Sequence, residues 1–239
     1  MGHDAICLIP ARGGSKRIPR KNSRLFCGRP MIAWAISAAL DSGVFDRVIV
    51  STDDREIAAV SVKAGAEVPF IRSAELAGDH VGLIEVIRHA VDWLGLHGEK
   101  PQLFACVYAT AAFLSSSDLA NAMERLKLHK SAEFIISVGT YPASPFQAMS
   151  ETVGDRLKFQ WPEFAHARTQ DLPDTFYDAA QFLIGKREAF SNYSNALGGL
   201  TIPYALPRIL CQDIDTPEDW DQAVALFKFL KTKKGVGRR

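Results

Sequence analysis

The sequence predicts an α/β fold: a largely parallel sheet with helices on both faces. Three observations carry that prediction. Short β-rich runs alternate with amphipathic helical patterns from Ala5 to Val138, and Leu103 to Tyr108 (LFACVY) is a nearly continuous apolar run, as a strand buried on both faces requires. The chain also closes on a helix with one apolar stripe.

The elements follow in order. Ala5 to Ile9 is the first buried strand and Arg47 to Ser51 the second. Between them Pro30, at a helix's first position, opens MIAWAISAALDSG, which Gly43 closes. Asp53 or Asp54 caps a helix through Ala64, ended by Gly65. Val68 to Ile71 reads as a third short strand, Val81 to Leu96 as a helix, and Leu103 to Tyr108 as a strand. Ser117 caps DLANAMERLKLH, and Phe134 to Val138 is again a strand. From Tyr141 to about Asp178 the rhythm breaks into Pro, aromatic and polar residues, which reads as an arm inserted in one domain spanning 1–239. Phe146, Trp161, Phe164 and Phe176 are more than so short a lobe can bury alone, so a two-fold homodimer is expected. Ala179 to Ile184 and Leu200 to Tyr204 are returning strands. Thr216, Pro217 and Asp219 form a capping-box-like start to the last helix. Its stripe of Trp220, Ala223, Val224, Phe227 and Leu230 faces the core, and KTKKGVGRR reads as a frayed tail.

The bulk properties exclude several classes. Among 239 residues, 47% are apolar and 23% charged, an ordinary globular composition. A net charge of +1 argues against a nucleic-acid or anionic-membrane footprint, so any bound anion must be gripped by a few local cations. Cys7, Cys27, Cys106 and Cys211 have no CxxC or Cys/His pairing, which reads as reduced thiols. The apolar stretch before Pro10 is too short for a signal peptide, so a cytoplasmic location is expected. The six histidines, His3, His80, His89, His97, His129 and His166, form no metal or nucleophile spacing.

The chemistry starts where the first strand runs into Pro10-Ala11-Arg12-Gly13-Gly14-Ser15-Lys16-Arg17-Ile18-Pro19-Arg20-Lys21-Asn22. Ligands in open α/β sheets bind beyond the carboxyl ends of the strands, where this turn must lie. Gly13 and Gly14 let backbone N–H groups approach a phosphate, and five cations supply more charge than a structural turn needs. The pattern suits a triphosphate, although it is neither GxxxxGK[ST] nor GxGxxG. A solvated basic surface turn is the bland alternative. Near the other end, Asp213-Ile214-Asp215 places two carboxylates on one face if the segment is extended, and two hard oxygen ligands suit Mg²⁺. The alternative is that Asp215 assists the helix start and Asp213 is solvated. Asp53-Asp54 reads mainly as a helix cap, and Ser15 has no hydrolase GxSxG context. A glycosyltransferase would carry its DxD pair mid-chain and leave the basic turn unexplained.

The string IPARGGSKRIPRKN resembles the signature of the cytidylyltransferases that activate nonulosonic acids: sialic, legionaminic and pseudaminic acid. The likeness extends through RPMIAWAI, VIVSTDD, GAEVPFIRSAEL and DIDTPEDW. It implies a Rossmann-like sheet of the nucleotide-diphospho-sugar transferase type with a dimerisation arm, and CTP and Mg²⁺ as co-reactants of a nine-carbon sugar acid. It implies nucleotide contacts from Ala11, Arg12, Gly13, Gly14, Ser15, Lys21, Asn22 and Arg72, with Arg12, Lys21, Asp213 and Asp215 catalytic and the two aspartates also metal ligands. The segments Tyr108 to Phe113, Arg168 to Pro173 and Tyr177 to Phe182 resemble the pseudaminic acid branch, which implies sugar contacts from Tyr108, Thr110, Arg168, Gln170, Asp178 and Gln181. The chain departs from the branch's usual pattern at Ala112 (Pro), Tyr177 (His), Ala180 (Gly), Leu183 (Tyr) and Ile184 (Trp), and Leu83 stands where Thr or Ser is usual near the nucleotide. The reaction type is untouched by these changes. Legionaminic, sialic or ketodeoxyoctonic acid are the alternative substrates, and a nucleotide-binding regulatory or scaffold protein is the non-enzyme reading.

Overall fold

The computed structural model describes residues 4–78 and 81–236. The chain runs β1 (Ala5–Pro10), β2 (Leu25–Phe26), β3 (Arg29–Pro30), α1 (Met31–Asp41), β4 (Arg47–Ser51), α2 (Arg55–Lys63), α3 (Leu83–Leu96) and β5 (Leu103–Val107). It continues through α4 (Ser116–Leu128), β6 (Phe134–Thr140), β7 (Met149–Thr152), β8 (Arg156–Phe159), β9 (Phe176–Lys186), α5 (Arg187–Asn192), β10 (Thr201–Ala205) and α6 (Pro217–Val236). A six-stranded sheet in the order β10-β6-β9-β5-β1-β4 forms the centre. Five strands run parallel and β9 runs antiparallel between β5 and β6.

Alternation along β1 explains why both faces are covered. Cys7 and Ile9 point to α1, α2 and α4, meeting Ile32, Ile36, Ile57, Leu119 and Met123. Ile6 and Leu8 point the other way, to Ile84, Ile87, Leu94 and Phe190 of α3 and α5. A third cluster lies outside the sheet: Trp220, Ala223 and Phe227 of α6 pack on Ile18, Phe26 and Ile214. This cluster seats the basic turn and the aspartate segment on one helix.

Several element boundaries differ from the sequence reading. Pro30 is the N-cap residue of α1, and Met31 is its first helical position. Val68 to Ile71 forms no strand; isolated bridges join Glu67 to Ile49 and Ile71 to Thr52 at the sheet edge. Helix α3 starts at Leu83, with the Glu85 carboxylate accepting from Gly82 N. Ser115 caps α4 rather than Ser117, in a box closed by Asp118. Thr216 Oγ1 and Asp219 Oδ2 form the reciprocal cap of α6 as the sequence predicts. The last helix extends to Val236, so most of the expected frayed tail is helical, and residues 237–239 lie outside the described residues.

The arm is a β7–β8 hairpin turned by Gly154 and Asp155, both at positive φ, followed by short 3-10 turns. Phe146 packs on Trp161 and Phe164, with centroids 6.1 and 4.8 Å apart. Met149, Val153, Leu157, Trp161 and Phe176 remain exposed. The arm leaves and re-enters at the same end of the sheet, which is why β9 must run back antiparallel. At its root, five steps of β9 from Asp178 to Leu183 oppose two steps of β6 from Val138 to Ile136, an irregularity in which Ala180 sits at φ +50°. No described helix is long and apolar enough to cross a membrane.

Candidate active site

The basic turn is fixed from several sides. Ala11 N donates to Ser51 O, Asn22 Nδ2 to Arg12 O (3.1 Å), and Gly13 N to Asp53 Oδ1 (3.0 Å). A Cβ on Gly13 would lie 2.7–2.9 Å from Asp54 side-chain atoms, so only glycine fits; a Cβ on Gly14 would meet open space. Arg20, at φ +57°, turns away from the cleft to Asp54 and Glu56. Asp54 in turn caps α2 through Glu56 N and Ile57 N. The acidic pair thus divides its work: Asp54 caps, as the sequence suggests, whereas Asp53 holds the turn and faces Arg72 at 3.8 Å.

Arg72 is 5% exposed, and its Nε has no hydrogen-bond partner among the described residues. Burial lowers its pKa, Asp53 opposes that, and Arg12 lowers it further, so the two guanidiniums repel across the site. A buried, under-partnered Arg beside a second Arg is a standing demand for an anion.

From the opposite wall comes the irregular segment before α6. Ile214 is fully buried in the third cluster, which turns its two neighbours outward. Lys21 Nζ donates to Ile214 O (2.7 Å) and Asp215 Oδ1 (3.0 Å), and Arg17 Nη2 to Asp215 Oδ2 (2.6 Å). Burial raises the Asp215 pKa, yet the bonds from Lys21 and Arg17 outweigh it and hold the carboxyl low. Asp213 goes the other way: burial first, then the charge of Asp215, push it up. No group of three or more His, Cys, Asp or Glu that could hold a metal occurs among the described residues. Two hard carboxylates without a third protein ligand fit an ion that takes the rest of its shell from phosphates and water, as Mg²⁺ does.

Arg12, Ser15, Lys16, Arg17, Lys21, Asn22, Tyr108, Ala109, Thr110 and Asp215 line one cleft of about 540 Å³. Tyr108 also lines a second cavity of about 470 Å³, with Leu83, Arg88, Asp178 and Asn195. A larger hollow of about 660 Å³ lies at the other end of the sheet, lined by Lys100, Lys127, Lys130 and Lys186, remote from the turn and the aspartates. Of the residues read as sugar contacts, Tyr108 and Thr110 line the cleft and Asp178 the second cavity, whereas Arg168 and Gln170 lie on the arm, where Arg168 pairs with Asp171, and line neither. Gln181 is 1% exposed; its Nε2 donates to Ala179 O and Gln212 O, and its Oε1 has no partner among the described residues. The sequence reading missed Asp53 as a holder of the turn, and Arg88 and Asn195 beside Tyr108. No motif marks these residues; only the packing of α3 and the loop after α5 against β9 brings the last two there. Cys7 and Cys106 are buried free thiols, and burial pushes both up. His3 and His80 lie outside the described residues.

A doubly covered α/β sheet with a cation-lined cleft past the end of β1 defines a nucleotide-binding enzyme of the nucleotidyltransferase type. The family model described as cytidylyltransferase matches residues 6–158, and the chain belongs to that family. It is 34% identical over 223 residues to a pseudaminic acid cytidylyltransferase of Campylobacter jejuni, covering 93% of this chain and 96% of that one. It is 31% identical to a CMP-N,N'-diacetyllegionaminic acid synthase of Legionella pneumophila, covering 90% and 92%. Among solved structures, a CMP:2-keto-3-deoxy-manno-octonic acid synthetase complexed with CTP superposes with a TM-score of 0.69 at 17% identity, over 94% of this chain and 98% of that one, and so shares the fold.

Proposed function

We propose that this chain transfers CMP from CTP to the anomeric hydroxyl of a nonulosonic acid, pseudaminic acid or a close di-N-acyl relative, with release of pyrophosphate. The observation that carries the reading is the cleft that Arg12, Lys21 and Asp215 line together, with the buried Arg72 close enough to Arg12 to repel it and Asp213 close enough to feel the charges of Asp215 and Lys21. The pseudaminic acid enzyme at 34% identity supports the choice of sugar.

Transfer at phosphorus asks the protein for positioning and charge neutralisation. Arg12 and Arg72 lie where a triphosphate would relieve their mutual repulsion. Lys21 and Arg17, now on Asp215, can exchange that carboxylate for phosphate oxygens and steady the leaving pyrophosphate. Asn22, anchored through Nδ2 to Arg12 O, keeps its amide oxygen for a ribose hydroxyl or a base edge. Asp213 and Asp215 would hold Mg²⁺, which supplies Lewis acidity at the phosphate and a more acidic sugar hydroxyl. The enzyme works in the cytoplasm as a homodimer joined through its arm.

Pyrophosphate release from CTP and Mg²⁺ with a panel of sugar acids tests this. Turnover is expected with pseudaminic acid, with kcat/KM about a hundredfold lower for sialic acid, because a site built for one hydroxyl and amide pattern leaves its own groups unpaired on another. CTP binding without pyrophosphate release on any sugar acid would instead describe a nucleotide-binding regulator. Asp213→Asn and Asp215→Asn should each remove most turnover and blunt the Mg²⁺ response, since an amide is a poor ligand for a hard cation. Wild-type rates at limiting Mg²⁺ would reduce the pair to a helix start.

A further inference from the structure

One oxygen of Asp53, just past β4, serves two donors at once. Oδ1 accepts from Gly13 N at 3.0 Å and lies 3.8 Å from Arg72 Nη2. The Arg72 side chain is 3% exposed, and Asp53 is the carboxylate it pairs with among the described residues. At 3.8 Å that pair is a charge contact rather than a hydrogen bond, and Arg72 Nε has no partner among the described residues. Arg12, which lines the cleft, repels Arg72, and the charge of Asp53 opposes that repulsion. The neighbouring Asp54 does different work: its carboxylate is taken up by the α2 amides and by Arg20, which points away from the cleft.

A turn amide beside a buried guanidinium is the donor pair that suits a phosphate oxygen. Here a carboxylate oxygen of the chain itself satisfies that pair. We propose that Asp53 is a positioning residue that acts as the resident counter-anion of Arg72 and the turn. It lets two guanidiniums stand at one site, and it holds down the affinity of that site for polyphosphate so that pyrophosphate can leave. The proposal rests on the proposed function and deepens it. Cations that grip substrate and product equally well raise no turnover once the enzyme is saturated, and they slow release of the product. A fixed negative charge behind the turn trims that uniform grip without removing a cation from the cleft.

The amide of Asp53→Asn keeps an acceptor for Gly13 N and loses the charge. In calorimetry without Mg²⁺, inorganic tripolyphosphate should bind this variant at least about threefold more tightly than wild type. Without ligand the variant should melt lower, because the guanidiniums lose their counter-anion, and it should gain more Tm from the ligand. Inhibition by pyrophosphate should strengthen in step. A residue that merely held the turn would lower Tm and weaken binding together, so the opposite signs separate the two roles. Asp41→Asn makes the same charge change at the far end of α1, whose first turn lies against the basic turn, and should move neither quantity. If Asp53→Asn does not fold, Asp53→Ser, neutral and smaller, is measured instead with the same sign expected. A wild type that turns over a nonulosonic acid, beside a neutral Asp53 variant that binds tripolyphosphate no more tightly, overturns this inference alone. A wild type that binds neither tripolyphosphate nor CTP overturns the functional reading and the inference with it.

Discussion

Two irregular segments of this chain, the basic turn from Pro10 to Asn22 and the arm from Tyr141 to Thr175, meet opposite fates. The turn has no regular structure over most of its length, yet Ser51, Asp53 and Ile214 bond to it and Ile18 anchors it in the α6 cluster. The arm has a hairpin and a small aromatic cluster of its own, and still leaves Met149, Val153 and Leu157 exposed, the second at 98%. A loop is held in place when its polar groups find partners within the chain. A segment that leaves contiguous apolar surface exposed offers that surface for interaction. The turn is therefore held by its own chain, and the arm's exposed apolar face is what the proposed homodimer would cover.

The largest expected effect breaks the turn. Gly13→Ala must move Asp54 and with it the α2 cap and the Arg20 bridge, a loss of about 1–3 kcal/mol in overpacking that lowers Tm by several degrees. Gly14→Ala, whose Cβ meets open space, should leave Tm within about a degree. Equal Tm changes in a thermal melt would mean that Asp54 does not press on the turn.

The arm is tested by its oligomeric state. Light scattering at micromolar concentration should show a dimer, and Leu157→Glu with Met149→Glu should shift it to monomer while leaving the monomer's fold intact by circular dichroism. A stable wild-type monomer would remove the reason given for the arm's exposed face.

A smaller effect sits at the root of the arm. Ala180 occupies a left-handed conformation, which costs an L-residue about 1–2 kcal/mol relative to glycine. Ala180→Gly should therefore raise stability by about 0.5–1 kcal/mol in urea melts, after the extra freedom glycine gives the unfolded chain. A loss of stability would show that the Cβ packs usefully in the irregular stretch.

The smallest concerns how the turn is pinned at low pH. Burial works to raise the Asp54 carboxyl, but the α2 amides and Arg20 together hold it below its ordinary value. A lowered folded pKa contributes stability that is present above the unfolded value and lost as pH falls through the folded one. Asp54→Asn keeps a capping side chain but loses the charge, so wild type should be more stable by a few tenths of a kcal/mol at pH 7, with the two converging as the pH falls through the lowered folded pKa. A gap that persists in acid would assign the effect to geometry rather than charge.

Much was legible before the structure, because it rests on local physics. Apolar runs marked the strands β1, β4, β5 and β6, whose burial needs no polar alternation, and the run Leu200 to Tyr204 marked the half-exposed edge strand β10. Capping residues marked the starts of α2 and α6, and several cations of the turn and Asp215, all singled out by type and spacing, line one cleft. The sequence could not say that β9 runs antiparallel, since an apolar run has no direction; the arm's return to the end it left decides that. Nor could it separate Asp53 from Asp54, Arg20 from Arg17, or the buried Gln181 from a surface contact. Each pair is equivalent in composition and nearly so in position, and only tertiary packing fixes which member faces the cleft. Arg88 and Asn195 carry no motif at all, and they come to lie beside Tyr108 because α3 and the loop after α5 pack on the same face of the sheet.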